Sequence, residues 1–559
     1  PTPPPAPPPA SAPAPAPGIE KPATRTEAAR FLTQATFGPT TADIDRLMQI
    51  GYAAWIDEQL ALPFGSHRAL WEAADAAIRS GATGQIGATA GQAEVIGAFW
   101  KQAVTAPDQL RQRVAFAWSQ IVVISGQDSA INDQPRAMTA WMDLLGEQGL
   151  GSYRTLLESV SRHPLMGRYL SHLRNQRADT RTGRVPDENF AREVMQLFSI
   201  GVVRLDESGR PLADATYGPA DIAGLARVFT GWSWACPDWP DNNCFANGSA
   251  GGLSDPERWF KPMLGYPQYH SAEEKSFLGV TVAPQGLPDP PGSLKAALDA
   301  ISAHPNVGPF IGRQLIQRLV TSNPSPDYVG AVARVFANNG AGVRGDLKAV
   351  VKAILMHPEA RQVSDHSGKL REPVLRLAAY LRAFGATSES GFWRVGNTDS
   401  PTTSLGQTPL RAPSVFNFYR PGYVPPGTQA AAAGLVVPEM QIVHETSTAG
   451  YVNAMRDFVG LGVGANAASG KRDLQPNLKA ELALADKPAE LVARITERLV
   501  PGGVPAGFTG IVEQAVASVA IPALNASGSN QKSIDDARRA RVNIALLLTL
   551  VSPEFIVQK

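Results

Sequence analysis

The chain of 559 residues carries 51 Lys+Arg against 50 Asp+Glu, is 44% hydrophobic and 18% charged, and contains 51 Gly and 47 Pro. Near-neutral charge excludes the electrostatic footprint of a nucleic-acid binder, and no apolar run approaches the roughly 18 to 20 residues that span a bilayer. The length predicts several domains or one large domain with insertions, with a sizeable core either way.

Residues 1–18, PTPPPAPPPASAPAPAPG, hold ten prolines in their first 17 positions. Such a segment buries nothing and forms an extended polyproline-II spacer. It reads either as an uninformative terminus or as a stalk that holds a folded body away from an anchor, with cleavage expected just upstream. Helical periodicity begins at Ala23. Thr24 with Glu27 makes a capping signal before AARFLTQATFG, Thr40 or Thr41 caps ADIDRLMQIG, and YAAWIDEQLAL starts a third helix after Gly51. Residues Glu94–Ser125, with Trp100, Leu110, Val114, Phe116 and Trp118 at helical spacing, predict a core helix pair.

Three apolar helices end in His-Pro, at His163, His304 and His357, and the C-terminal LLLTLVSPEFIVQ repeats the device with Ser-Pro. Proline cannot continue a helix, and a histidine in the last turn can bond its free carbonyls, so these histidines are expected to cap helix C-termini. Long irregular stretches at Asp206–Pro219, Gly231–Pro291 and Gly385–Pro438 are rich in turn residues, and the last two in Trp and Asn. The fold class predicted is mainly α, a multi-helix body with long ordered loop insertions and minor β hairpins. Composition divides the chain into the stalk 1–18, a helical region 19–230, a Trp-rich insertion 231–300, a helical region 301–385, a Pro/Gly-rich strap 386–440 and a helical region 441–559.

GLGVGANAASGKR (460–472) misplaces the first Gly of a P-loop and puts Arg472 where a Ser or Thr would hold magnesium. There is no G-x-S-x-G, H-E-x-x-H or C-x-x-C. The segment 162–201 carries more. After Pro186 and Asp187 start a helix, Asn189, Glu193 and Gln196 fall on one side as a polar stripe, with Glu188 and Arg192 on an adjoining line. Such a stripe is either a solvated face or a set of groups that hold sugar hydroxyls and exchange protons. Glu193, with Glu188 or Asp187, is the candidate acid–base pair. Arg192, Asn189 and Gln196, with Arg168 and His172 upstream, are candidate substrate contacts whose other role is pairing with those carboxylates. The loop Asn175, Asp179, Thr182, Asp187 and Glu188 around Gly183 is rich in oxygen, yet its spacing fits no EF-hand, and neither a metal nor a cofactor is expected.

Trp232, Trp234, Trp239 and Trp259 lie within 28 residues, beside Tyr266 and Tyr269. Alternation would put Trp232 and Trp234 on one face, available for stacking on sugar rings or for filling a core. Cys236 and Cys244 enclose seven residues and predict a local disulfide in an oxidising compartment. His270 and Lys275 follow, as loop anchors or a proton-transfer pair. RAPSVFNFYRPGYVPPG, within residues 405–427, is expected to be a proline-fixed strap across the helical body.

Taken in order, FLTQATFGPT…DIDRLMQIGYAAWIDEQL, RHPLMGRYL, PDENFAREVMQLFSIG, DIAGLARVFTGWSW, HPNVGPFIGRQLIQRLVTSNPSP, RAPSVFNFYRPGY and SPEFIVQ resemble a bacterial family, domain of unknown function 1800, over residues 25–559. The resemblance implies a bacterial, often exported protein encoded beside another exported family, and it carries no reaction or catalytic residue set. The expectation is an extracytoplasmic protein, periplasmic, outer-membrane-tethered or secreted, that acts on cell-envelope or extracellular glycan as a paired-carboxylate hydrolase. The alternative is a non-catalytic envelope scaffold that docks a co-exported partner protein.

Overall fold

The computed structural model describes residues 20–81, 87–364, 367–466, 469–500 and 502–559; the proline-rich segment 1–18 lies outside them. Helices begin where the caps predict. Thr24 Oγ1 accepts the Glu27 N–H at 3.2 Å ahead of helix Arg25–Ala35, and Thr40 forms a reciprocal box with Asp43 ahead of helix Thr41–Ile50. Each cap satisfies an N–H group that the first helical turn leaves without a partner.

Helices Gln92–Thr105 and Gln109–Ser119 are buried around most of their circumference, their apolar residues together with Glu94, Gln109, Gln112 and Arg113. Trp100, Leu110, Val114, Phe116 and Trp118 are accordingly at most 1% exposed. Helices Pro135–Gln148, Val307–Leu319 and Pro373–Ala383 pack around the pair. A C-terminal layer sets helix Gln531–Leu550 against helices Glu445–Leu461, Pro488–Leu499 and Ala506–Ala517. One apolar core runs from Ala28 to Phe555 and draws on every compositional region of the described chain. No helix among the described residues is long and apolar enough to cross a membrane.

The described residues form 26 α-helices, and their strands make six two-stranded sheets, all antiparallel. Two of these sheets position functional groups. Trp232–Ser233 pairs with Leu264–Gly265 at the base of the Trp-rich insertion. Val557–Gln558 pairs with Lys369–Leu370, with Gln558 opposite Lys369, which sets a lysine inside the molecule.

The His-Pro junctions cap in the opposite direction from the one expected. His163 Nδ1 accepts the Leu165 N–H at 3.2 Å and heads helix Pro164–Tyr169, and His357 Nδ1 accepts the Glu359 N–H at 3.3 Å and heads helix Pro358–Arg361. His304 Nδ1 likewise accepts the Asn306 N–H at 3.1 Å. An accepting Nδ1 carries no proton, and the positive end of a helix disfavours a second cation. Burial acts in the same sense, lowering the affinity of all three histidines for a proton, His163 to about 3. At His163 and His357 the proline that follows starts the next helix, at a position where its missing N–H leaves no bond unmade.

The Cys236–Cys244 disulfide is formed, with Cα atoms 5.6 Å apart, and packs with Phe245 and Tyr266 as a small separate core. The strap crosses the helical body along a path fixed by backbone bonds. Ser125 Oγ donates to the Ala412 carbonyl at 2.5 Å, the Gly126 N–H to Leu410 at 2.8 Å, and Gln317 Nε2 to Pro421 at 3.1 Å.

Candidate functional site

Helices Pro135–Gln148 and Tyr153–Ser161 run side by side, and three carboxylates project from them toward the Trp-rich insertion. Asp143 is fully used in holding the fold, since it accepts from Ser66 Oγ at 2.6 Å and from the His67 and Arg68 N–H groups at 2.7 and 3.3 Å, capping helix His67–Arg79. Glu147, one turn further, makes no hydrogen bond or ion pair among the described residues. Partial burial, then the Asp143 charge, raises its carboxyl above the usual range, and Arg68 opposes them. Glu158 is held at both oxygens, by Arg154 Nη1 at 2.8 Å and Arg162 Nη1 at 3.4 Å. Arg162 is in turn fixed through Nε to the Met263 carbonyl at 3.1 Å.

Two adjoining cavities open along this line. One, about 370 Å³, is lined by Arg68, Asp143, Glu147 and Phe260, and the other, about 290 Å³, by Trp232, Trp239, Leu294 and Lys295; Glu158 and Arg162 line both. The pair therefore forms the waist of one cleft. Trp239 is 45% exposed, and its indole N–H donates to the Gly265 carbonyl at 2.9 Å, which anchors the edge of the ring. Trp232 donates to the Val228 carbonyl at 3.2 Å with the Arg162 guanidinium 5.8 Å from its ring centre. At the far end Phe260 carries Arg68 and Arg136 over its face at 4.8 and 4.9 Å. Aromatic faces, two glutamates and a line of guanidiniums thus share one concave surface.

The family model described as "Protein of unknown function (DUF1800)" matches residues 30–557. The chain belongs to this family. No curated protein and no solved structure matches it.

The DUF1800 chain distributes the residues expected from the sequence over several environments. Asp187, Glu188, Asn189 and Arg192 are exposed. Asp187 accepts the Asn189 N–H at 2.8 Å, Asn189 Nδ2 donates to Ser171 Oγ at 3.3 Å, and Glu188 pairs with Arg192 at 3.4 Å. Glu193 is buried; its Oε2 has no partner among the described residues, and burial raises the carboxyl, with Arg192 opposing. The expected polar stripe therefore runs from surface to core, and it does not reach the cleft. Arg168 is exposed in the last turn of helix Pro164–Tyr169. His172 is a core group, stacked on Phe190 at 3.8 Å with Nε2 on the Ser161 carbonyl at 2.8 Å. His270 is fully enclosed, Nδ1 donating to the Thr230 carbonyl at 2.7 Å and Nε2 accepting from Ser293 Oγ at 3.0 Å. Trp234 packs edge-on to Trp259 at 4.7 Å, apart from Trp232. Of the expected set, only Trp232 and Trp239 meet in the cleft, while Gln196 lines a separate cavity under the strap.

Asp179 and Asn175, expected in an oxygen-rich loop, spend their side chains on its backbone. Asp179 Oδ1 accepts the Arg181 N–H at 3.0 Å, and Asn175 brackets Asp187 through both its amide groups. Among the described residues no three His, Cys, Asp or Glu side chains gather as a metal set.

Two groups of residues have no signature in the sequence. The cleft glutamates Glu147 and Glu158 carry no motif, although Glu158 and Arg162 at i, i+4 stand just before His163. The second group lies at the centre of the DUF1800 fold. Lys369 donates to Glu439 Oε1, the Gln317 carbonyl and the Arg318 carbonyl, each at 2.9 Å, so all three ammonium protons are used. Glu372 Oε2 accepts from Gln120 and Gln407, both at 2.5 Å, and Arg113 Nη2 donates to the Arg318 carbonyl at 2.5 Å. Arg371 and Arg376 adjoin them, so five buried cations, Arg113, Arg318, Lys369, Arg371 and Arg376, face two buried carboxylates, Glu372 and Glu439. Burial lowers the proton affinity of Arg113, Lys369, Arg371 and Arg376, Arg371 to about 9.

Proposed function

We propose that the protein binds a cell-envelope or extracellular glycan in the cleft between helices Pro135–Gln148 and Tyr153–Ser161 and the Trp-rich insertion, and hydrolyses it there. The observation that carries this reading is that Glu158 and Arg162 line both cavities, with Glu147 in the one and the exposed Trp239, beside the edge of the buried Trp232, in the other. Sugar rings stack on indole faces through their C–H surfaces while arginine and carboxylate groups bind their hydroxyls. Glycoside cleavage needs one carboxyl that holds its proton and a second that faces the positive charge growing on the sugar ring. Glu147, exposed, unpaired among the described residues and raised above the usual carboxylate range, is the candidate for the first role. Glu158, fixed between two guanidiniums, has the second. An oxidising extracytoplasmic compartment belongs to the same reading, supported by the Cys236–Cys244 disulfide.

The test is product release from a panel of envelope and extracellular polysaccharides. The wild-type chain is expected to release sugar from at least one of them, Glu147→Gln to lose that activity, and Trp239→Ala to raise KM more than it lowers kcat. Silence against every glycan, or full activity in Glu147→Gln, removes the hydrolase.

A scaffold role that docks a co-exported partner protein is the second reading. It is supported by the hairpin Val203–Leu205 with Pro211–Ala215, whose second strand is exposed throughout and which carries Val203 and Leu212 in solvent. A two-stranded ribbon of this kind offers backbone groups and apolar side chains to another chain. Loss of partner binding in Val203→Asp/Leu212→Asp, with a silent glycan panel, decides for it.

A further inference from the structure

Beneath the strap lies a cavity of about 290 Å³ that shares no lining residue with the glycan cleft. Its wall joins four parts of the chain: Gln120 at the end of helix Gln109–Ser119, Gln196 to Val202 after helix Asn189–Gln196, helix Val307–Leu319, and Val415 to Pro421 of the strap. From helix Val307–Leu319 come Phe310, Gln314 and Arg318, at i, i+4 and i+8, one stripe along a single face. Gly201, at φ +68°, lets the turn come up against this stripe: a Cβ there would stand 2.7 Å from the Phe310 ring.

The polar groups of this wall are buried and incompletely used. Arg318 is 4% exposed. Its Nη2 donates to the Gln120 carbonyl at 3.3 Å and its guanidinium lies 4.7 Å from the Tyr419 ring centre, but Nε has no partner and no carboxylate pairs with it among the described residues. Gln314 is 8% exposed, and its Nε2 donates to none of the described residues. Gln120 is 3% exposed; its Nε2 serves Glu372 while its Oε1 is unpartnered among the described residues. At the mouth, Arg420 lies over the Phe416 ring at 4.8 Å and has no carboxylate partner among them either. Enclosed donors without partners carry a desolvation cost, and the charged side chains of the lining, Arg318 and Arg420, are both cationic.

We propose that this cavity binds a small carboxylate ligand that bears an apolar group. Two coplanar oxygens match a guanidinium fork, the group that Arg318 and Arg420 bring to the wall beside Gln314. Phe310, Phe416 and Val202 form the wall for the apolar part. At about 30 Å³ for each water of the liquid, the cavity equals about ten waters, the scale of a single substituted acid and far short of a polysaccharide. Charge complementarity favours the anion over its neutral amide, and the apolar wall favours it over a bare inorganic anion.

Isothermal titration of the full chain with 3-phenylpropionate, 3-phenylpropanamide and inorganic phosphate tests the site. Saturable one-to-one binding of 3-phenylpropionate is expected, with the amide and phosphate each at least tenfold weaker. Arg420→Gln, at an exposed position, is expected to weaken 3-phenylpropionate about tenfold, equivalent to about 1.4 kcal/mol. Gln314→Leu, close in volume, is expected to weaken it by a similar factor, and thermal melts establish that both variants are folded. Four results overturn the proposal: no binding, equal binding of acid and amide, phosphate binding as well as the acid, or unchanged affinity in both folded variants.

Discussion

The cleft and the buried centre are built from the same side chains, glutamates with arginines and a lysine, and they use them in opposite ways. In the cleft Arg154 and Arg162 bracket Glu158 at partly exposed positions, where an ion pair is worth about 0–1 kcal/mol and its partners remain available to a ligand. In the centre Lys369 and Glu439 are 0% and 2% exposed at the side chain, and desolvation outweighs attraction unless every donor is used. What the pair there secures is position: it ties the strap to the C-terminal strand and to helix Val307–Leu319. Exposure, more than residue type, separates a group held ready for chemistry from one that holds the fold.

The largest test of this contrast is Glu439→Ala, which strands the Lys369 ammonium in the interior. A loss of about 3–5 kcal/mol in denaturant unfolding is expected. Lys369→Met with Glu439→Leu is expected to restore most of it, and a double variant as unstable as the single one breaks the argument. In the cleft the corresponding change, Glu147→Gln, is expected to leave stability within about 0.5 kcal/mol while lowering sugar release at least 100-fold, as loss of a general acid does.

Acid pH probes buried histidine. Burial holds His172 at about 4 in the folded chain, well below its usual 6.5. The unfolded chain therefore binds its proton first, and stability is lost as pH falls from about 6.5 toward 4, by about 2 kcal/mol at pH 5 for this residue. His172→Phe, retaining the stack on Phe190, is expected to flatten that part of the profile, and an unchanged slope contradicts the assignment. The smallest effect belongs to the exposed pair Glu188–Arg192, where Glu188→Ala is expected to shift the unfolding midpoint by no more than about 0.5 kcal/mol.

Much of the scaffold is legible without coordinates. Thr24 and Thr40 announce their helices because a cap is a contact three residues long, and Cys236 with Cys244 announces a disulfide because the loop between them leaves few other geometries. The apolar residues of helices 92–105 and 109–119 are legible as core from their helical spacing, whereas the burial of Arg113 among them is not. The His-Pro junctions are recognisable as boundaries, but the sequence points to the wrong direction of capping, since proline marks where a helix stops and says nothing about which N–H the imidazole will meet. Glu193 shows the limit in another way: its spacing from Asn189 and Gln196 is that of a helix, but spacing does not reveal that Asn189 faces water while Glu193 is enclosed.

Helix boundaries, the mainly helical class and the disulfide arise from interactions between residues close in the chain, and they can be read along it. Which charges are buried depends on packing between distant parts of the chain. Lys369 and Glu439 are 70 positions apart, and Glu158 and Trp239, which line one cavity, are 81 apart, so neither pairing has a local signature. Burial, and with it proton affinity and the ability to hold a ligand, is a property of everything packed around a group, and that exists only once the whole chain has folded.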